Sequence, residues 1–198
     1  MGTNRLEAFS DGVLAIVITI MVLEFEVPHG TELSALTPLL PVGLSYILSF
    51  VYVGIYWNNH HHLLQATRRV DGVILWANLH LLFWLSLVPF VTAWMGQNHF
   101  APVPTSAYGV VLLLAAIAYG VFEETILRRD AAEPVLKATA RHDWKAMVSA
   151  GIYAVAILLA LVQPWIAGML YGMVALMWLI PDRRIERSLS AQQDASVE

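Results

Sequence analysis

Residues 72–122 read GVILWANLHLLFWLSLVPFVTAWMGQNHFAPVPTSAYGVVLLLAAIAYGVF and contain no Asp, Glu, Lys or Arg. A helix needs roughly 20 mostly apolar residues to cross the hydrocarbon layer of a membrane. This stretch is long enough for two crossings, and Pro102 and Pro104 supply a break between them. The stretch therefore predicts an all-α integral membrane protein.

The rest of the chain has the same character. Charged side chains are also absent between Glu32 and Arg68 and between Lys145 and Asp182. Only 13% of the residues are charged, against about a quarter in a soluble domain. Turn residues divide the chain into six predicted transmembrane helices, at 6–26, 37–64, 73–97, 105–127, 143–162 and 165–181. Residues 1–187 are predicted to form one transmembrane domain, and the polar residues 188–198 a disordered cytoplasmic tail.

The basic residues predict the orientation of these helices. With six crossings, all eleven Lys and Arg residues fall on one face of the membrane: Arg5, Arg68, Arg69, Arg128, Arg129, Lys137, Arg141, Lys145, Arg183, Arg184 and Arg187. Basic residues concentrate on the cytoplasmic side of membrane proteins. Both termini are therefore predicted to be cytoplasmic. Because the basic residues are spread along one membrane face, nucleic-acid binding is not indicated.

The first predicted helix differs from a helix that faces lipid. Only the segment 12–23 separates Asp11 from Glu24. Charges so close to the hydrocarbon core are costly, and such residues usually face protein or water. We therefore expect this helix to lie inside an assembly.

One side of the first helix is an apolar stripe with a single hydroxyl group. At 100° per residue the stripe comprises Ile16, Thr19, Ile20 and Leu23. Asp11 points about 140° away from Ile16 on the same helix. The stripe could be a helix-packing seam, or it could line a narrow pore that gates ions by dewetting, with Glu24 and Glu26 concentrating cations at the outer mouth. The residues alone leave both possibilities open.

The start of the chain also resembles a known signature. Residues Arg5-Leu-Glu-Ala-Phe9-Ser10-Asp11 match the Arg-x-x-x-Phe-Ser-Asp pattern of the transmembrane protein 175 family, the endosomal and lysosomal potassium channels. The segment Tyr56-Trp57-Asn58-Asn59-His60-His61-His62 and the pair Pro89-Phe90 resemble further features of its bacterial single-repeat members.

This resemblance implies a homotetrameric, potassium-preferring channel of the bacterial inner (plasma) membrane, not an enzyme. The partners would be potassium ions, the lipid bilayer and three further copies of the chain, with no cofactor, metal or nucleic acid. The pore would be lined by the first helix and constricted at Ile16, Thr19, Ile20 and Leu23. Because Arg5 lies on the pore side of the helix, we expect it to be drawn aside into a polar pair, or the helix to splay at this end. A structural network is predicted from Arg5, Phe9, Ser10, Asp11, Asn58, His60, Asn78 and His80.

Two other functions remain open from the residues. A membrane-embedded metal or redox enzyme would use His60, His61, His62 and His80. Adjacent helical residues point 100° apart, so at most two of the three consecutive histidines could bind one ion. A proton-coupled transporter is the other alternative, and saturable uptake driven by a pH gradient would identify it.

Overall fold

The computed structural model describes residues 3–67, 69–129 and 144–179 of the chain. Seven α-helices lie within these ranges: α1 (Thr3–Val22), α2 (Leu40–Gln65), α3 (Gly72–Ser86), α4 (Val88–Gln97), α5 (Pro102–Arg129), α6 (Trp144–Ala160) and α7 (Pro164–Leu179). A 3₁₀ helix, Leu33–Leu39, leads directly into α2. The predicted tail at 188–198 lies outside the described residues, as do Arg68, Lys137, Arg141, Arg183, Arg184 and Arg187.

The helix predicted over 73–97 is present as the helical stretch Gly72–Gln97, which a turn at Leu87 divides into α3 and α4. The cause is Pro89, the second residue of α4. Proline has no backbone N–H for the carbonyl four residues earlier, which is that of Leu85, and its ring crowds the same carbonyl group. The two helices still form one rod, by which we mean a helical segment that may be interrupted by a turn. Counted this way, the described residues contain the six helical rods that the sequence predicted.

Among the described residues, three helical stretches are long and apolar enough to cross a membrane: Leu33–Gln65, Gly72–Gln97 and Pro102–Arg129. The helices α6 and α7 are apolar but shorter, with 17 and 16 residues. The first helix, α1, carries Arg5, Glu7 and Asp11 within its first three turns. The charged start of α1 therefore distinguishes it from the three long apolar stretches.

The rods alternate in direction, so the basic residues gather at one end of the bundle. At this end, the start of α1 contacts the end of α2 through Glu7 and His61, and Arg129 bonds to Asp71. At the opposite end, the Gln97 amide donates to Glu24 over 3.3 Å and Phe100 stacks on Trp165. We call the first of these the basic end; its described cations are Arg5, Arg69, Arg128, Arg129 and Lys145.

Asp71 fixes the start of α3 at the basic end. Its Oδ1 atom accepts hydrogen bonds from the N–H groups of Val73 and Ile74, both at 2.9 Å, as an N-cap residue does. Its Oδ2 atom accepts a 2.7 Å hydrogen bond from Arg129 at the end of α5. The Ile74 N–H group and the Arg129 guanidinium hold the pKa of Asp71 below its usual value. Asp71 therefore joins two helices while it caps one of them.

Buried hydroxyl groups connect the helices in the middle of the bundle. The Ser49 hydroxyl on α2 bonds to Thr92 on α4 at 2.7 Å and to Tyr108 on α5 at 3.0 Å. The Tyr52 hydroxyl donates to the backbone carbonyl of Tyr171 on α7 over 2.7 Å. An unpaired polar group in the interior would cost free energy, so each of these bonds favours one particular arrangement of the helices.

At Gly109, α5 lies close to side chains of α6 and α7. A Cβ atom there would overlap the Tyr171 hydroxyl and lie 2.7 Å from its Cζ atom and 2.9 Å from Cγ1 of Ile157. We expect Gly109→Ala to destabilise the protein by about 2 kcal/mol, because a buried ring and a packed helix would have to move. Thermal unfolding in detergent measures this effect.

Gly120 on the same helix provides the matched control. A Cβ atom at this position meets no atom within 4 Å. Gly120→Ala should leave the unfolding midpoint unchanged or raise it slightly, because alanine is the better helix former. Equal destabilisation by the two substitutions would show that the close contact at Gly109 has no energetic consequence.

Candidate ion pore

One face of the helix α1 packs against its own subunit, and another face is exposed. Its buried side chains contact α2, α3 and α4 and are Leu6, Ser10, Leu14, Val17 and Met21. On the other side lie Ile16, Ile20 and Leu23, whose exposed fractions are 58%, 41% and 77%. Thr19 is exposed between them. The apolar stripe read from the sequence thus faces away from the rest of the subunit.

Thr19 is the polar group of this stripe. Its hydroxyl donates a 3.0 Å hydrogen bond to the Ile16 backbone carbonyl, one turn earlier in α1. Because the hydroxyl proton is used in this bond, the oxygen of this exposed residue keeps its lone pairs as acceptors. A lone pair on oxygen is a ligand for a hard cation such as potassium. Leu23 lies one residue beyond the last residue of α1.

The two acids predicted for the outer mouth lie just beyond the end of α1, opposite the basic end. Glu24 is half-buried and accepts the hydrogen bond from Gln97 at the end of α4. Glu26 is exposed. Both carboxylates therefore follow directly after the apolar stripe along the chain.

Three of the predicted network residues form one buried chain of hydrogen bonds. The Asn78 amide nitrogen donates to the Ser10 hydroxyl over 3.0 Å, and its Oδ1 atom lies 2.7 Å from Nε2 of His60. Ser10 in turn donates to the Leu6 carbonyl over 2.9 Å. With the amide in this orientation, Nε2 of His60 must carry the proton. These hydrogen bonds connect α1 to α3 and α2.

A second set of contacts joins α1 to α2 alone. Asp11 accepts a 3.0 Å hydrogen bond from the Trp57 indole N–H. One turn earlier in α1, Oε1 of Glu7 lies 2.7 Å from Nδ1 of His61. The Gln65 amide reaches Nε2 of the same histidine at 2.8 Å. Glu7 and Asp11 are four residues apart on α1. Each therefore contacts a ring nitrogen of a residue on α2, and these two residues, His61 and Trp57, are also four residues apart.

Glu7, His61 and Gln65 were not among the residues predicted for the network. One available signal was the shared spacing, because Glu7 and Asp11, like Trp57 and His61, are four residues apart and so lie on one side of their helix. That spacing could have suggested the pairing without identifying the partner helix.

The remaining predicted network residues lie elsewhere. His80 accepts a 3.0 Å hydrogen bond from Trp84, one turn along on α3. Asn58 and Phe9 are exposed, and Arg5 is exposed at the start of α1. Within the described ranges, no polar pair draws Arg5 aside. The structure therefore does not bring these four side chains together with Ser10, Asn78 and His60.

Three of the four histidines proposed for a metal site face different partners. His60 is stacked on Phe122 with the ring centroids 5.3 Å apart, His61 meets Glu7, and His80 meets Trp84. In the part of the chain that the structure describes, no group of three or more histidine or acidic side chains is placed to hold a metal ion.

Comparison with known proteins identifies the family to which the chain belongs. Residues 5–89, from the start of the signature to Pro89, match the model of a family described as endosomal/lysosomal potassium channel TMEM175. A protein named potassium channel from Chryseobacterium sp. (strain P1-3) is 54% identical over 189 residues, which cover 96% of this chain and 98% of the relative. The chain belongs to the TMEM175 potassium channel family.

A second relative, named potassium channel, comes from Chamaesiphon minutus (strain ATCC 27169 / PCC 6605). It is 33% identical over 180 residues, covering 83% of this chain and 87% of the relative. The crystal structure of a lysosomal potassium-selective channel TMEM175 homolog from Chamaesiphon minutus has the same fold, with a TM-score of 0.78 at 29% identity. That match covers 89% of this chain and 96% of the solved one. The chain is thus a multi-pass membrane protein with the TMEM175 fold.

Proposed function

We propose that the chain is a potassium-preferring channel in which four copies surround a central pore lined by α1. The observation that carries this proposal is the exposed apolar stripe on the helix with the charged start. A helix with Arg5, Glu7 and Asp11 in its first turns is poorly suited to face lipid. A position at the centre of an assembly removes that cost and gives the stripe a partner, which is the same stripe of the other three copies.

The stripe would form the constriction of this pore. Rings of Ile16, Ile20 and Leu23 leave water little to bond to, so a narrow passage between them resists wetting and ion entry. The Thr19 oxygens supply one polar ring at the same level of the helix. Because isoleucine cannot replace the hydration shell of an ion, selectivity for potassium over sodium should be weaker than a cage of carbonyl groups provides.

The acids beyond the stripe favour the passage of cations, whereas an unpaired Arg5 on the stripe side of α1 would oppose it at the basic end. Glu24 and Glu26 at the outer mouth would raise the local concentration of cations. The basic end would face the cytoplasm, which places both termini inside the cell. The named relatives described above are bacterial, so the membrane would be the bacterial inner membrane.

Two measurements on the purified protein test this proposal. Native mass spectrometry in detergent should give four times the 22.0 kDa mass of one chain. Liposomes that contain the protein should release potassium down its gradient, and sodium several-fold more slowly. A monomer or dimer would contradict the central pore, because one subunit cannot enclose it. Saturable uptake that requires a pH gradient would favour the proton-coupled transporter, and a stoichiometric transition metal would favour the enzyme.

A further inference from the structure

Two polar side chains, those of Asn58 and His80, are exposed on helices that are suited to cross the membrane. Asn58 lies in the stretch Leu33–Gln65 and His80 in the stretch Gly72–Gln97. A polar group among lipid tails finds no hydrogen-bond partner, so such residues in membrane proteins usually face protein or water. These two side chains therefore mark surfaces that are poorly suited to lipid.

His80 carries a hydrogen-bond donor that its own subunit does not use. Its Nε2 atom accepts a 3.0 Å hydrogen bond from the Trp84 indole N–H, so this nitrogen has no proton. The proton of the ring must then lie on Nδ1. Within the described ranges, the Nδ1–H group makes no hydrogen bond. It therefore needs an acceptor from outside the subunit.

Asn58 offers the complementary group at the same depth. Its amide oxygen is an acceptor, and the side chain makes no hydrogen bond to any other described residue. Asn58 lies two turns before the end of α2, and His80 lies just over two turns after the start of α3. Both of these helix ends are at the basic end of the bundle. At the rise of an α-helix, the two residues lie roughly 11 Å and 12 Å along their helices from that end.

In one subunit, α2 and α3 lie on different sides of α1 and the two polar groups do not meet. Asp11 bonds to Trp57 of α2, whereas Ser10 bonds to Asn78 of α3. Around α1, Ser10 lies about 120° to one side of Ile16 and Asp11 about 140° to the other. The stripe is thus flanked by α2 on one side and by α3 on the other.

We propose that Asn58 of each copy accepts a hydrogen bond from the Nδ1–H group of His80 in the neighbouring copy, and that this bond lies in the contact surface between copies. In a ring of four with α1 at the centre, the α2 side of one copy faces the α3 side of the next. Both unused polar groups then gain a partner. The contact joins unlike surfaces, and fourfold rotation closes it into a ring. This inference rests on the proposed function.

Apolar side chains complete the two surfaces. On each helix three exposed residues share the side of the polar group: Leu40, Leu44 and Ile47 on α2, and Val73, Trp76 and Phe83 on α3. Apolar side chains can face lipid equally well, so the polar pair is what distinguishes these surfaces from the rest of the bundle. One hydrogen bond between membrane helices adds little to stability. Either polar residue can therefore be replaced without unfolding the subunit.

The test uses the absence of cysteine from the chain, because introduced cysteines are then the only thiols. A variant with both Asn58→Cys and His80→Cys is treated with a short bismaleimide in detergent. Most of the protein should move into covalent products of two, three and four chains on a denaturing gel. Each single variant should stay at the mass of one chain, because the contact joins unlike surfaces. The control pairs His80→Cys with Ile117→Cys on α5, where Ile117 is similarly exposed, and should give no such products.

Three outcomes would overturn this contact. The first is a double variant that is tetrameric by native mass spectrometry but gives no linked chains, which would leave the proposed function intact. The second is linkage in either single variant, since like surfaces would then meet. The third is a product that stops at two chains, because a ring links all four. If the unaltered protein has the mass of one chain, the proposed function and the contact both fail.

A second measurement keeps Asn58 and His80 unaltered, in case the cysteine variants do not assemble. Trp76 is 74% exposed, on the same side of α3 as His80. A photoreactive benzophenone amino acid in its place should attach on illumination to α2 of another copy, and mass spectrometry of the linked peptides identifies the site. Attachment to lipid or detergent alone would show that this side of α3 faces the membrane, and would refute the contact.

Discussion

Ile16→Asn should raise potassium conductance by about tenfold and reduce the preference for potassium over sodium, because an amide ring would allow water and hydrated ions into the apolar constriction. Ile16 is 58% exposed on the face of α1 that points away from its own subunit, so the substitution leaves the packed core in place. Single-channel recording in planar bilayers gives both the conductance and, from the reversal potential, the selectivity.

The control for this prediction is Ile117→Asn on α5. Ile117 is 49% exposed, close to the value for Ile16, but it belongs to a helix that packs on the side of α3 and α6 rather than on α1. Its substitution should leave conductance and selectivity unchanged. Thr19 and Leu23 extend the test along the stripe. If substitutions at Ile16, Thr19 and Leu23 all leave the ion flux unaltered, α1 does not line the pore.

Asn78→Leu should destabilise the folded protein by about 3 kcal/mol, because leucine fills the space but leaves two buried polar groups without their partner. These groups are Nε2 of His60 and the Ser10 hydroxyl. His60 would be affected most, since its Nδ1 atom is already unpartnered and the ring would lose its hydrogen bond entirely. The thermal unfolding midpoint should fall by about 8 °C, as a loss of this size implies for a chain of this length.

Asn58→Leu is the matched control for Asn78→Leu. It makes the same chemical change on α2, at an exposed position without a side-chain hydrogen bond among the described residues. The midpoint should change by less than about a quarter of the shift seen for Asn78→Leu, as is usual for surface substitutions. A large loss of stability from Asn58→Leu and none from Asn78→Leu would show that the buried chain does not hold α1, α2 and α3 together.

The sequence was sufficient to predict the class of the fold and the number of rods. A segment that crosses the hydrocarbon layer must be long and apolar. This requirement concerns each segment by itself, so a stretch such as 72–122 can be recognised without knowing which helices pack against it. The break within the third rod was not predicted, although Pro89 removes a backbone donor whatever surrounds it. The ends of the helices were predicted less accurately: the predicted first helix extended to residue 26, whereas α1 ends at Val22.

The two faces of α1 were likewise determined by the helical period, which is a property of the backbone alone. That period separated Ile16, Thr19, Ile20 and Leu23 from Asp11 before any contact was known. The helical period could not show what the stripe contacts, because the partner of the stripe in the proposed pore belongs to another copy of the chain.

Only the tertiary structure decided which polar side chains bond to one another. Asn78 and His80 are two residues apart on α3 and were predicted to share a network, but they lie about 160° apart around the helix. Asn78 faces Ser10 and His60, and His80 bonds to Trp84 on its own helix. Likewise, the partner of His61 is Glu7, 54 positions earlier in the chain. Such pairs depend on the rotation and depth at which whole helices dock, and that docking is fixed by the sum of many side-chain contacts rather than by any local pattern.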